Sequence, residues 1–190
     1  MGYHPLFLLM EPDVPFFGPP EDWELLSYFA KEAVLASSDV DLQQFLEDKA
    51  YDLDLYPECF SMEVDEGQKP NELYLGFDGS EPVSIAKMPV ATPCEAIAYL
   101  PCGPFEGWEA CEKTALAKHW QQQYGAFPIA AGFDTLQFAV ETPPTDPEEL
   151  EKLCHEMLLF CPELIEEYGF SFGNLKKMIS LSHFWFFRWF

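Results

Sequence analysis

Basic residues are what this 190-residue chain most lacks: 10 Lys and Arg stand against 33 Asp and Glu, leaving a formal charge of −23. Arginine occurs once, at Arg188. A surface so short of cations repels nucleic-acid phosphates and anionic lipid, which argues against direct contact with DNA, RNA or a membrane. No apolar run approaches the roughly 18 residues that a membrane span requires. The stretch Leu6–Met10 lacks a basic region before it and meets acid and proline at once, unlike a secretory signal. Histidine is scarce, with four residues, and the six cysteines include no CxxC pair and no zinc-site spacing. Nucleophile elbow, P-loop, HExxH and GxGxxG motifs are all missing. The expectation is a cytoplasmic chain with reduced cysteines, no catalytic residue, no cofactor and no metal.

Apolar residues, by contrast, make up 48% of the chain and aromatics 16%, so a packed core is expected rather than disorder. The length fits a single domain over 1–190. Its acidity is uneven: residues 1–95 hold 20 acids and 4 bases, whereas 96–190 hold 13 and 6. Two readings follow. Acidity keeps an aromatic-rich protein soluble, or it steers a basic protein partner onto the surface.

Residues 1–20, rich in proline and aromatics, read as an extended arm. Helical spacing begins after Glu21, with Leu26, Phe29, Ala30 and Ala33 as the inner stripe and Glu21, Asp22 and Glu24 in the first turn. Ser38 or Asp39 is expected to cap a second helix carrying Leu42, Phe45, Leu46, Ala50 and Leu53 inward and Asp41, Glu47 and Asp48 outward. CFSMEV, ELYLGF, VSIAKM and AIAYLP read as short strands between turn signals. A helix over about Trp108–Tyr124 is expected to stop at Gly125.

AFPIAAGFDTLQFAVE reads as a hairpin turning at Gly132–Asp134. Asp146 and Pro147 mark the N-cap and first position of a helix, with Glu149 completing a capping-box-like start. That helix places Leu150, Leu153, Cys154, Met157, Leu158 and Cys161 on one face and is interrupted by Pro162. Cys154 and Cys161 are expected to be core packing. His155, as a helical neighbour of Cys154, points elsewhere and does not form a nucleophile pair with it. After Gly169 a helix over about Phe172–Ser180 leads to the octet HFWFFRWF, residues 183–190. As a strand the octet puts aromatics on both faces, the pattern of a strand covered on both sides. Arg188 is expected to stack on an aromatic ring and pair with a carboxylate. The fold class is α+β: an antiparallel or mixed sheet with packed helices and the aromatic C-terminal strand inside it.

Several features in one order carry a family resemblance. A tryptophan helix leads to Tyr124-Gly125-Ala126, Asp134-Thr135-Leu136 opens a strand, and Pro143-Pro144 follows it. A helix bearing Glu156 then runs into Phe160-Cys161-Pro162-Glu163, and Trp185-Phe186-Phe187-Arg188-Trp189 closes the series. Over roughly the last 75 residues the chain resembles the bacterial family catalogued as DUF4253, a domain of unknown function. It departs from that family's pattern at Glu163, where aspartate usually follows Cys-Pro, and at Trp189-Phe190, where Trp-Trp-Asp is frequent. The resemblance implies a compact α+β domain in a bacterial cytoplasm and supplies no catalytic residue.

The functional expectation joins the acidity to that resemblance, because small acidic proteins of such families are frequently toxin-neutralising immunity proteins. It is a cytoplasmic inhibitor of a basic protein, such as a nuclease toxin, with Asp39, Asp41, Glu47, Asp48, Asp52 and Asp54 as partner-binding residues. The alternatives are an enzyme with an unrecognised site and a nucleic-acid-mimicking scaffold.

Overall fold

The computed structural model of the chain describes residues 3–9, 22–53, 61–67, 83–100, 108–167, 169 and 171–189. Among the described residues five strands form one sheet: β1 (His4–Leu9), β2 (Val83–Met88), β3 (Phe127–Ala131), β4 (Thr135–Ala139) and β5 (Phe184–Arg188). Their order is β2-β1-β3-β4-β5. β1 runs parallel to β3 and every other pair is antiparallel, so the sheet is mixed. The helices are α1 (Trp23–Ala36), α2 (Leu42–Leu53), α3 (Ala110–Tyr124), α4 (Pro147–Phe160), α5 (Leu164–Glu167) and α6 (Phe172–Leu181). The fold is α+β.

The first strand corrects the extended-arm reading of residues 1–20 over His4–Leu9; the rest of that arm lies outside the described residues. Leu6 and Leu8 alternate into the core. Pro5 is paired with Lys87 of β2 alone, the pairing with β3 being confined to Phe7 and Leu8. VSIAKM is β2 as expected. AIAYL, expected as a strand, belongs instead to a 3-10 helix over Pro93–Tyr99. The reason is its start: Thr92 and Glu95 form a capping box with Pro93 at the first position. In the described part of CFSMEV, Ser61 forms a parallel bridge to Ser171, while Cys59, Phe60 and ELYLGF lie outside the described residues.

The second half follows its local signals closely. α3 ends at Gly125, whose φ of 62° is the left-handed conformation glycine adopts without strain. The β3–β4 hairpin closes with the Gly132 N–H donating to Thr135 O at 2.8 Å. Asp146 caps α4, its carboxylate accepting from the N–H groups of Glu148 and Glu149. The six inward residues foreseen for α4 and its end are all buried.

Trp120 of α3 and Phe160 of α4 pack onto the sheet beside Phe138 of β4 and Phe187 of β5. Trp120 stacks nearly parallel to Phe187, 5.7 Å between centroids, while Phe160 meets Phe187 edge-on at 5.2 Å. Phe184–Arg188 of the octet is thus a strand of the sheet, with Trp185, Phe187 and Trp189 buried, while Phe190 lies outside the described residues. It is nevertheless an edge strand, and its other face is only half covered: Phe184 and Phe186 are half-buried and Arg188 is exposed. That corrects the expectation of full cover on both sides. Arg188 does pair with a carboxylate, its Nε lying 3.7 Å from Asp134 Oδ2. A charged residue at the end of an edge strand also discourages further strand pairing.

Candidate functional site

The acidic corner is built where α1 hands over to α2. Ser37 closes α1, its N–H donating to Ala33 O and its hydroxyl to Val34 O. Lys118 of α3 donates to both Val34 O, at 3.1 Å, and Ser37 Oγ, at 2.8 Å, pinning the corner to the core. Lys118 also lies 4.0 Å from Glu95 Oε1. The N-cap of α2 is Asp41, whose Oδ1 accepts from the Gln44 N–H at 3.2 Å, not Ser38 or Asp39. One turn on, Gln43 donates to Glu47 at 3.0 Å and Gln44 to Asp48 at 2.9 Å. These i,i+4 amide contacts hold the carboxylates in place without neutralising them.

Asp39, Asp41, Glu47 and Asp48 are exposed and, among the described residues, none of the four forms an ion pair. Asp52 sits in the last turn of α2, with its side chain outside the described residues, as is all of Asp54. Asp39 and Asp41 thus lie at the α1–α2 turn, and Glu47 and Asp48 follow between one and two turns along α2.

The outer face of α1 escaped sequence reasoning. Phe29, expected inward, is 59% exposed, and Leu25, Tyr28 and Leu35 are exposed with it. Ala30 supplies the buried contact, with Ala33 and Val34 partly buried beside it. The available signal was surplus: Leu25, Tyr28 and Leu35 do not belong to the inward spacing of Leu26, Ala30 and Ala33. At the root of α1, Trp23, Leu26 and Ser27 face Ala86, Met88 and Tyr99 across a largely apolar groove of about 340 Å³.

A polar cluster also lies inside the core. Glu156 of α4 is buried, and Trp120 Nε1 donates to its Oε2 at 2.9 Å. His119 Nε2 and Lys152 Nζ lie 3.6 and 3.9 Å from its other oxygen. Burial, with the charges of Glu156 and Glu149 adding to it, holds the Tyr124 hydroxyl above the usual tyrosine range. Burial likewise pushes the thiols of Cys154 and Cys161 up to about 12. Both are protonated at neutral pH and serve as packing, since the thiolate is the reactive form. Cys161 Sγ donates to Arg188 O at 3.2 Å, tying the end of α4 to β5.

Among the described residues no three His, Cys, Asp or Glu are gathered as a metal site, and no helix is long and apolar enough to cross a membrane. Residues 84–189 match the model of a family described as Domain of unknown function (DUF4253). That match begins in β2 and ends at the C-terminal strand, so α1 and α2 precede it. No curated protein and no solved structure matches the chain.

Proposed function

The chain belongs to the DUF4253 family, and we propose that this member is an acidic protein-binding inhibitor: an immunity protein for a toxin with a basic active site, such as a nuclease. The observation that carries the reading is the stretch from the α1–α2 turn into α2, where Asp39, Asp41, Glu47 and Asp48 are exposed and, among the described residues, paired to no cation. Carboxylates held this way stand in for the phosphates of a nuclease substrate, and the excess of 33 acids over 10 bases accelerates encounter with a cationic surface. Lys118 keeps the corner rigid by holding the end of α1, so little order has to be gained on binding. The corner precedes the family-matched segment, which suits a surface specific to one partner.

The test is co-expression with the product of the neighbouring gene, scored by complex formation and by rescue of growth. A stable complex whose affinity falls steeply with salt supports the reading. If that product and other basic nucleases are ignored by the chain at low salt, the reading fails.

A further inference from the structure

Along α1 the residues Leu25, Tyr28, Phe29 and Glu32 follow i, i+3, i+4 and i+7, a second stripe beside the packed one, roughly a third of a turn round the helix. All four are exposed, the three apolar ones at 56%, 58% and 59%. A helix packed on one side ordinarily fills its other side with polar residues, and contiguous apolar surface on a soluble protein marks a contact site. The rings of Tyr28 and Phe29 meet edge-on with centroids 5.6 Å apart. Glu24 and Glu32, both exposed, lie four residues before and after Tyr28 on the same row. Flat rings between carboxylates are the chemistry that recognises a guanidinium, which stacks on the ring and shares its N–H groups with the acids. Lysine, a compact and strongly hydrated charge, gains less there.

We propose that this outer face of α1 is the docking surface for an arginine-bearing segment of the basic partner, an inference that rests on the inhibitor reading above. Charge selects this occupant over a second copy of the chain. Two chains of −23 repel one another, whereas a cationic arginine segment is attracted to Glu24 and Glu32. The face therefore supplies what the acidic corner lacks: apolar area to desolvate the contact and rings to fix its geometry.

The experiment titrates the isotopically labelled full chain with an arginine peptide and a lysine peptide of about ten residues each, following backbone amide shifts at low salt. The arginine peptide is expected to shift the amides of 24–35 and to bind more tightly than the lysine peptide. The double variant Tyr28→Leu/Phe29→Leu, which keeps apolar bulk, should lose about tenfold in affinity, the scale of a lost aromatic hot spot. Glu47→Gln/Asp48→Asn should lose far less. Arginine binding that ignores the ring variants, or that shifts α2 alone, overturns the α1 assignment while leaving a basic partner in place. Binding of neither peptide overturns the α1 assignment, while complex formation with the neighbouring gene's product tests the inhibitor reading separately. A wild-type dimer that the ring variants dissociate in the ultracentrifuge assigns the face to a second copy and overturns the proposal.

Discussion

Trp120 and Glu156, 36 residues apart in sequence, meet in the core through an indole N–H donated to a carboxylate at 2.9 Å. The bond joins α3 to α4 above the sheet and satisfies one oxygen of the buried carboxyl group, while His119 and Lys152 flank the other. Trp120→Phe keeps most of the ring packing but leaves the carboxylate short of a donor. The expected cost is about 1–3 kcal/mol, the scale for leaving a buried acceptor atom without its donor. Glu156→Gln, whose amide oxygen still accepts, should cost less. Urea unfolding of both variants checks the order, and the reverse ranking would contradict the role given to this bond.

The aromatic terminus should behave as scaffold on one face only. Phe187 is fully buried against Trp120, Phe138 and Phe160, so Phe187→Ala should cost about 3–5 kcal/mol. Phe184 is half-buried on the other face, and its truncation should cost markedly less. Deleting 183–190 removes β5 and should abolish cooperative melting. A soluble truncation with a sharp thermal transition would overturn the assignment.

Alkali should weaken the fold through its thiols. Cys154 and Cys161 have ordinary values of 9.0 and are pushed up to about 12 by burial. Between those limits the unfolded chain has released these protons while the folded chain retains them, so stability falls as pH rises. Each thiol contributes up to about 1.4 kcal/mol per pH unit in that window, and below pH 9 the contribution is intact. Chemical denaturation across pH 8–11 is expected to show a decline that flattens in Cys154→Ala/Cys161→Ala. Identical slopes in variant and parent would show that other groups set it.

Gly125 should resist substitution for two separate reasons. Its φ is 62°, and an added Cβ would come within 2.7 Å of Glu141 Cβ. Gly125→Ala is expected to cost about 1–3 kcal/mol, most of it recovered neither by salt nor by pH. A thermal melt unchanged by the substitution would contradict the strained cap.

Where a stop or start is written in neighbouring residues, the sequence was legible. Gly125, the Asp146–Pro147 cap and the break at Pro162 all mark real ends, because each acts through the backbone within one turn. β1 was hidden because Pro5 and the prolines after Leu9 suggested an arm, and the strand's pairing partners lie far along the chain. AIAYL was misread because Ala96 to Leu100 are all buried, and a fully buried run shows no period. Of the candidate site, the outward acids of α2 followed from helical spacing alone. The exposed rings of α1 did not, since an apolar residue looks the same in sequence whether it packs inward or waits for a partner. The Trp120–Glu156 bond is tertiary and left no local trace.

The most direct test of the central claim is the affinity of the full chain for the purified product of the neighbouring gene, measured against salt and against Asp39→Lys/Asp41→Lys/Glu47→Lys/Asp48→Lys. The account predicts a tight complex at low salt, a linear fall of log affinity with log salt, and a loss of at least about a hundredfold on reversing these four charges. A complex whose affinity is indifferent both to salt and to the reversed corner would contradict it.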